Sequence, residues 1–146
     1  MTPFDKYEGL GNDFVVVEAS EPVGTDSAVR ICERHFGVGG DGVLVVGPPR
    51  SPGARASMIV ENADGSRPEM CGNGLRCVAL HLARADGVDR AEYVVDTDAG
   101  ARTCSVERRG GSANVLINLG QASSLGEQRV HFEGTTYVFV RVSMGN

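Results

Sequence analysis

From Asn73 to about Ala85 the chain reads as a helix that is apolar on more than one side. Leu75, Val78, Ala79 and Leu82 fall at i, i+3, i+4 and i+7, and Cys77, Leu80 and Ala83 widen that face. A helix with so little polar surface needs apolar cover around most of its circumference. Gly87 ends it. Strands are expected at 14–18, 43–46 and 57–61 before it, and at about 91–97, 101–107, 113–119 and 136–143 after it. A further helix over 25–36, opened by Thr25 or Asp26 as N-cap and closed by Gly37, puts Val29, Cys32 and Phe36 on one face. Strands with two separated helices give an α+β class, not a doubly wound one, and the apolar helix predicts a mixed β-sheet wrapped around it.

The chain of 146 residues is the size of one ordinary domain, without internal repeats, low-complexity tracts or a long linker. No apolar run approaches the roughly 18 residues of a membrane helix. Met1-Thr2-Pro3-Phe4-Asp5-Lys6 has no basic region leading into an apolar one, so a signal peptide is not expected and a cytoplasmic location is. The net charge of -5 and scattered basic residues argue against nucleic acid as partner. Arg108-Arg109, the one adjacent basic pair, reads as a solvated turn. Cys32, Cys71, Cys77 and Cys104 lack zinc-ligand spacing, and without a secretory signal disulfides are the lesser use, so no metal is expected.

Glycine is the compositional oddity. Its 20 residues are about twice the usual share and cluster at 9–11, 37–42, 72–74 and 110–111. Gly37-Val38-Gly39-Gly40-Asp41-Gly42 satisfies G-x-G-x-x-G by letter, but a dinucleotide loop needs a strand before it and a helix after it. Here the order is reversed, so a turn from helix to strand is the better account.

Cys71 precedes the first turn of the apolar helix, where backbone N–H groups lack intrahelical partners. The partial positive charge of that end favours an anion, and so a thiolate. The same N–H groups can hold a carboxylate, and Gly72 and Gly74 would keep side chains away from its approach. On residue types alone, a buried loop cysteine beside a glycine turn explains Cys71 equally well. Cys32 and Cys77 fall on apolar helix faces and Cys104 in a strand, and all three read as core.

The run Asn62-Ala63-Asp64-Gly65-Ser66, four residues, then Cys71-Gly72-Asn73-Gly74-x-Arg76 resembles the signature of the diaminopimelate epimerase family. Lys6-Tyr7-Glu8-Gly9-Leu10-Gly11-Asn12-Asp13-Phe14 is similar to that family's opening segment. Residues 37–42 are similar to a second loop, and Val142-Ser143-Met144-Gly145-Asn146 to its interdomain segment. The resemblance implies a two-half fold with a cleft between the halves, each half bringing one cysteine to a helix N-terminus. It implies Cys71 as the first catalytic cysteine. Asn12 and Asn62 would hydrogen-bond the amino-acid end of the substrate, with turn-capping as their duller role. Gly72 and Asn73 would bind through the helix N-terminus, and Asn146 from the interdomain segment. Residues 1–118 would form one half and 119–146 a crossover segment, the second half and its cysteine being absent from this sequence. At Gly42 some family members carry a substrate-touching glutamine.

The implied reaction is epimerisation of LL-diaminopimelate to the meso form, without a cofactor, as part of lysine and cell-wall precursor synthesis. A thiolate on one face of the α-carbon would take a proton and a thiol on the other would give one. The expected partner is that small amino acid, with no membrane contact, and a homodimer is a candidate assembly. Racemisation of another amino acid, or amino-acid binding without chemistry, are the alternatives; a phenazine-type isomerase is disfavoured by Cys71.

Overall fold

The computed structural model describes residues 2–144, so Asn146 lies outside the described residues. In chain order it contains β1 (Asp5–Gly9), β2 (Asn12–Glu18), α1 (Thr25–Cys32), β3 (Gly42–Gly47) and β4 (Ala56–Asn62). There follow α2 (Gly72–Ala85), β5 (Arg90–Thr97), β6 (Gly100–Arg109), β7 (Ser112–Ile117), β8 (Ser123–Phe132) and β9 (Thr135–Ser143). Strands β1 to β7 form one sheet in sequence order, and β8 and β9 pair separately as a hairpin.

The sheet is mixed for a simple reason. Its two parallel pairings, β2 with β3 and β4 with β5, are the two places where a helix intervenes in the chain. All other neighbours are antiparallel. Strands β2 and β3 each carry an unbroken apolar run, Phe14–Val17 and Val43–Val46, because both of their faces are covered there. Phe14, Val16, Leu44 and Val46 point to the α2 side, with Met58 and Val60 of β4. Val15, Val17, Val43 and Val45 point to the other side, against Ala28 and Cys32 of α1.

Helix α2 touches all seven strands of the sheet. Leu75, Val78, Leu82 and Ala83 are buried, each large side chain contributing about 1.5–3 kcal/mol relative to exposure. The α+β class with a sheet wrapped around a central helix, expected from the apolar pattern, is what the chain forms. Its C-terminal end is closed by Arg108, whose guanidinium donates to the carbonyls of Ala83 at 3.3 Å and Val88 at 3.1 Å. The Arg108-Arg109 pair is therefore no solvated turn: both residues lie in β6, and Arg108 ties the last turn of α2 to the segment after it, adding a second donor to the Ala83 carbonyl that already accepts the N–H of Val88.

The first helix departs from expectation at both ends. Its N-cap is Gly24, at φ 88, where glycine is favoured, and not Thr25 or Asp26. The buried carboxylate of Glu61 accepts the N–H groups of Val23 and Gly24, each at 2.9 Å, and so fixes the entry. The helix stops at Cys32, short of Phe36. The Glu33 carboxylate accepts the N–H groups of His35 and Phe36, which would otherwise have continued the helix, and Phe36 is left exposed. Strands β1 and β8 were not expected. Both are largely polar, and only Tyr7 is buried in β1.

Candidate functional site

The turn that joins β1 to β2, Leu10 and Gly11 at positive φ, returns the chain so that Gly9 opposes Asn12. Asn12 thereby starts β2 beside the first turn of α2. Its carboxamide bonds that turn directly: Nδ2 of Asn73 donates to Oδ1 of Asn12 at 2.8 Å. Nη1 of Arg76, one turn further on, donates to Oδ1 of Asn73 at 3.2 Å.

Cys71 is the N-cap of α2, extended at φ −133 and ψ 114, and half-buried. Its Sγ accepts the backbone N–H of Gly74 at 3.3 Å, the place a Ser or Asp oxygen takes in ordinary caps. The N–H groups of Gly72 and Asn73 take no hydrogen bond among the described residues, so two donors at the positive end of the helix remain open. A Cβ on Gly72 would meet nothing closer than 3.8 Å. Gly74 differs from expectation: it is buried against Leu44 and Cys71, so its bareness serves packing, not substrate approach.

The strap leading to Cys71 is moored to the turn between β5 and β6. Arg67 donates twice to Asp98, and the N–H of Ala99 donates to the carbonyl of Glu69 at 3.0 Å. Asn62 ends β4 and closes a tight turn, its Nδ2 donating to Oγ of Ser66 at 2.9 Å and its N–H to the Ser66 carbonyl at 2.8 Å. The N–H and hydroxyl of Ser66 also bond Asp64 and hold its carboxyl below the ordinary range.

The Gly37–Gly42 segment does run from helix to strand, against a dinucleotide site. Its Asp41 instead backs the candidate site. Oδ2 of Asp41 accepts Nδ2 of Asn12 at 3.0 Å and the N–H of Asp13 at 3.1 Å, while its carbonyl accepts the N–H of Ala63 at 3.0 Å. Arg34 bridges Asp41 and Asp13. The Arg34 guanidinium, and after it the Lys6 ammonium, hold the Asp13 carboxyl well below the usual range. Sequence alone assigns no role to Asp41, Arg34 or Arg76, although one acid amid glycines is a visible signal for Asp41. At Gly42 a side chain would crowd the carbonyl of Glu61 at 3.0 Å, so the strand pairing here leaves little room for a glutamine.

The other three cysteines lie in the core. Burial pushes the Cys77 thiol up to about 12 and the Cys104 thiol to about 11, and raises that of Cys32. Among the described residues, no group of three His, Cys, Asp or Glu is placed to hold a metal ion, and no helix is long and apolar enough to cross a membrane.

Solved structures of similar fold include a hydroxyproline epimerase from Agrobacterium vitis with bound trans-4-hydroxy-L-proline. It has a TM-score of 0.73 at 14% identity, over 95% of this chain and 48% of that one. A phenazine biosynthesis protein of the PhzF family from Bacillus anthracis aligns at TM-score 0.53 and 20% identity, over 92% of this chain and 43% of that one. Sequence relatives are closer. The diaminopimelate epimerase of Synechocystis sp. is 40% identical across 98% of this chain and 57% of its own length. That of Synechococcus elongatus is 48% identical across 66% of this chain and 36% of its own. The chain spans about half the length of the curated relatives it matches. The diaminopimelate epimerase family model matches residues 4–125, and with the Cys71 cap at the head of an enclosed helix the chain belongs to the diaminopimelate epimerase family.

Proposed function

We propose that this chain supplies one half of a two-base isomerase site that epimerises LL-diaminopimelate to its meso form, with Cys71 as one of two thiols. The observation that carries the reading is the cap itself: a half-buried Sγ held at a helix start beside the open N–H groups of Gly72 and Asn73. The α-hydrogen of an amino acid is a very weak acid. A thiolate at Cys71 takes it from one face, and a thiol across the substrate returns a proton to the other. In the reverse direction the roles exchange. The helix N-terminus faces the substrate carboxylate and stabilises the charge that develops there.

Asn12 and Asn62 complete this half by hydrogen-bonding the amino-acid end of the substrate. Cys32, Cys77 and Cys104 are buried, so the opposing thiol has to come from outside this half. Residues 1–118 then act as the catalytic half and 119–146 as the crossover toward the other, with Asn146 contacting substrate from that segment. The setting is cytoplasmic synthesis of lysine and cell-wall precursors.

The test is a fusion in which residues 1–146 replace the matching stretch of the Synechocystis relative, assayed by deuterium exchange at the α-carbon of diaminopimelate in D2O. Exchange lost in Cys71→Ala, with folding intact, is the expected result. Near-normal exchange in that variant would make Cys71 structural. Exchange of another amino acid in place of diaminopimelate would redirect the substrate.

A further inference from the structure

We propose that Asp41 is a positioning residue which, through Asn12, fixes the orientation of the Asn73 carboxamide in the first turn of α2. The inference rests on the polarity of one hydrogen-bonded chain, Arg76 to Asn73 to Asn12 to Asp41. A guanidinium can only donate and a carboxylate can only accept. With these two groups at its ends, the amides between them have a single consistent orientation. Asn12 turns its NH2 to Asp41 and its oxygen to Asn73, and Asn73 turns its NH2 to Asn12 and its oxygen to Arg76.

Each amide therefore keeps a defined unused donor: one N–H on Asn12 and one on Asn73. An Asn whose amide can flip presents a donor in one state and an acceptor in the other. Asp41 removes that ambiguity, and it is itself held from three sides. Arg34 binds its other oxygen at 2.8 Å, its N–H donates to the Asp13 carbonyl at 2.7 Å, and its carbonyl accepts from Ala63. This gives the glycine-flanked Asp41 a task at the site that the proposed function does not require it to have. Under that function, it sets which polar atoms meet an amino-acid carboxylate beside Cys71.

The experiment uses the 146-residue chain labelled with 15N, the side-chain amide signals being assigned through Asn12→Ala and Asn73→Ala. Asp41→Asn is isosteric and leaves both backbone bonds of residue 41 in place, but its amide can accept or donate. The expected result is a shift of both the Asn12 and the Asn73 signals, with about tenfold faster solvent exchange of the Asn12 amide as a charged acceptor is lost. Core backbone signals such as those of Val15 and Val43 should stay in place. If the Asn73 signals do not move, Asp41 only braces its own loop and the proposal is overturned. If Asp41→Asn does not fold, Arg76→Gln reads the same relay from its other end. It must move the Asn12 signals, although Arg76 does not touch Asn12, and unmoved signals would overturn the proposal. None of these readings depends on catalysis, so failure of the epimerase assay leaves them intact.

Discussion

The Cβ that Gly74 lacks would lie 2.9 Å from Cδ2 of Leu44 and 3.4 Å from both Cβ and Sγ of Cys71. Leu44 is fully buried in β3, so its methyl could yield only by repacking within the core. Glycine inside a helix normally costs about 0.5–1 kcal/mol relative to alanine. Here the sign reverses, because overpacking costs about 1–3 kcal/mol. Gly74→Ala should lower stability by about 1–2 kcal/mol in a urea melt and slow alkylation of Cys71 by displacing its Sγ from the N–H of residue 74. A stabilised variant would mean that the core yields more easily than this packing implies.

Thiol chemistry should single out one residue. Burial leaves Cys77, Cys104 and Cys32 protonated far above neutral pH and out of reach, whereas Cys71 is half-buried at the helix start. Iodoacetamide at neutral pH should label Cys71 first in the folded chain, and all four cysteines in denaturant, read by mass spectrometry. Early labelling of Cys77 would show that α2 opens readily.

Much of this was legible because one pattern dominates. The apolar circumference of 73–85 demanded a surrounding sheet, and Cys71 before Gly72 placed the thiol at the helix start. The features that no sequence pattern marks are carried by polar contacts. Glu33 ends α1 through its own carboxylate, Glu61 of β4 caps it from 37 residues beyond the Gly24 N-cap, and β1 pairs at the edge with one buried side chain. The role of Asp41 was hidden for the same reason, since it appears only when β2, the Gly37–Gly42 segment and α2 meet.

That network separates Asn12 from Asn62, which sequence alone treats alike. Asn12→Ala strips partners from both Asp41 and Asn73 and should cost about 1–3 kcal/mol. Asn62→Ala removes one exposed bond to Ser66 and should cost less than about 1 kcal/mol. Paired thermal melts check the order, and an equal loss for both would count against the network.

Acid should weaken the mooring of the loop after β3. Asp96 is buried, which alone would raise its carboxyl, but the Ser51 hydroxyl and the N–H groups of Arg50 and Ser51 outweigh burial and hold it below the ordinary range. A depressed carboxyl contributes stability that is present above the unfolded value of about 4 and lost as pH falls through the folded one. Asp96→Asn should therefore cost about 1.5–3 kcal/mol at pH 7, and the gap from the parent should narrow near pH 3. Urea melts at both values decide; a gap independent of pH would leave the charge without a role.

The hairpin makes the last prediction. Among the described residues β8 and β9 form a two-stranded sheet of their own, and every residue along them is exposed except Ser143, which is half-buried. An isolated two-stranded ribbon is marginal in water. This one exposes Val138, Phe139 and Val140 in succession, so both faces are apolar, and its outer edges offer unpaired backbone groups. Such a ribbon finds cover in another chain or in further sequence. The 146-residue chain should therefore self-associate in a concentration-dependent way by light scattering. Because α2 and the seven-stranded sheet form the core without the hairpin, residues 1–118 alone should stay monomeric and keep their melting temperature within about 2 °C, a shift that corresponds to well under 1 kcal/mol for a domain of this size. A large fall in melting temperature on truncation would place the hairpin in the folding unit and move the boundary at residue 118.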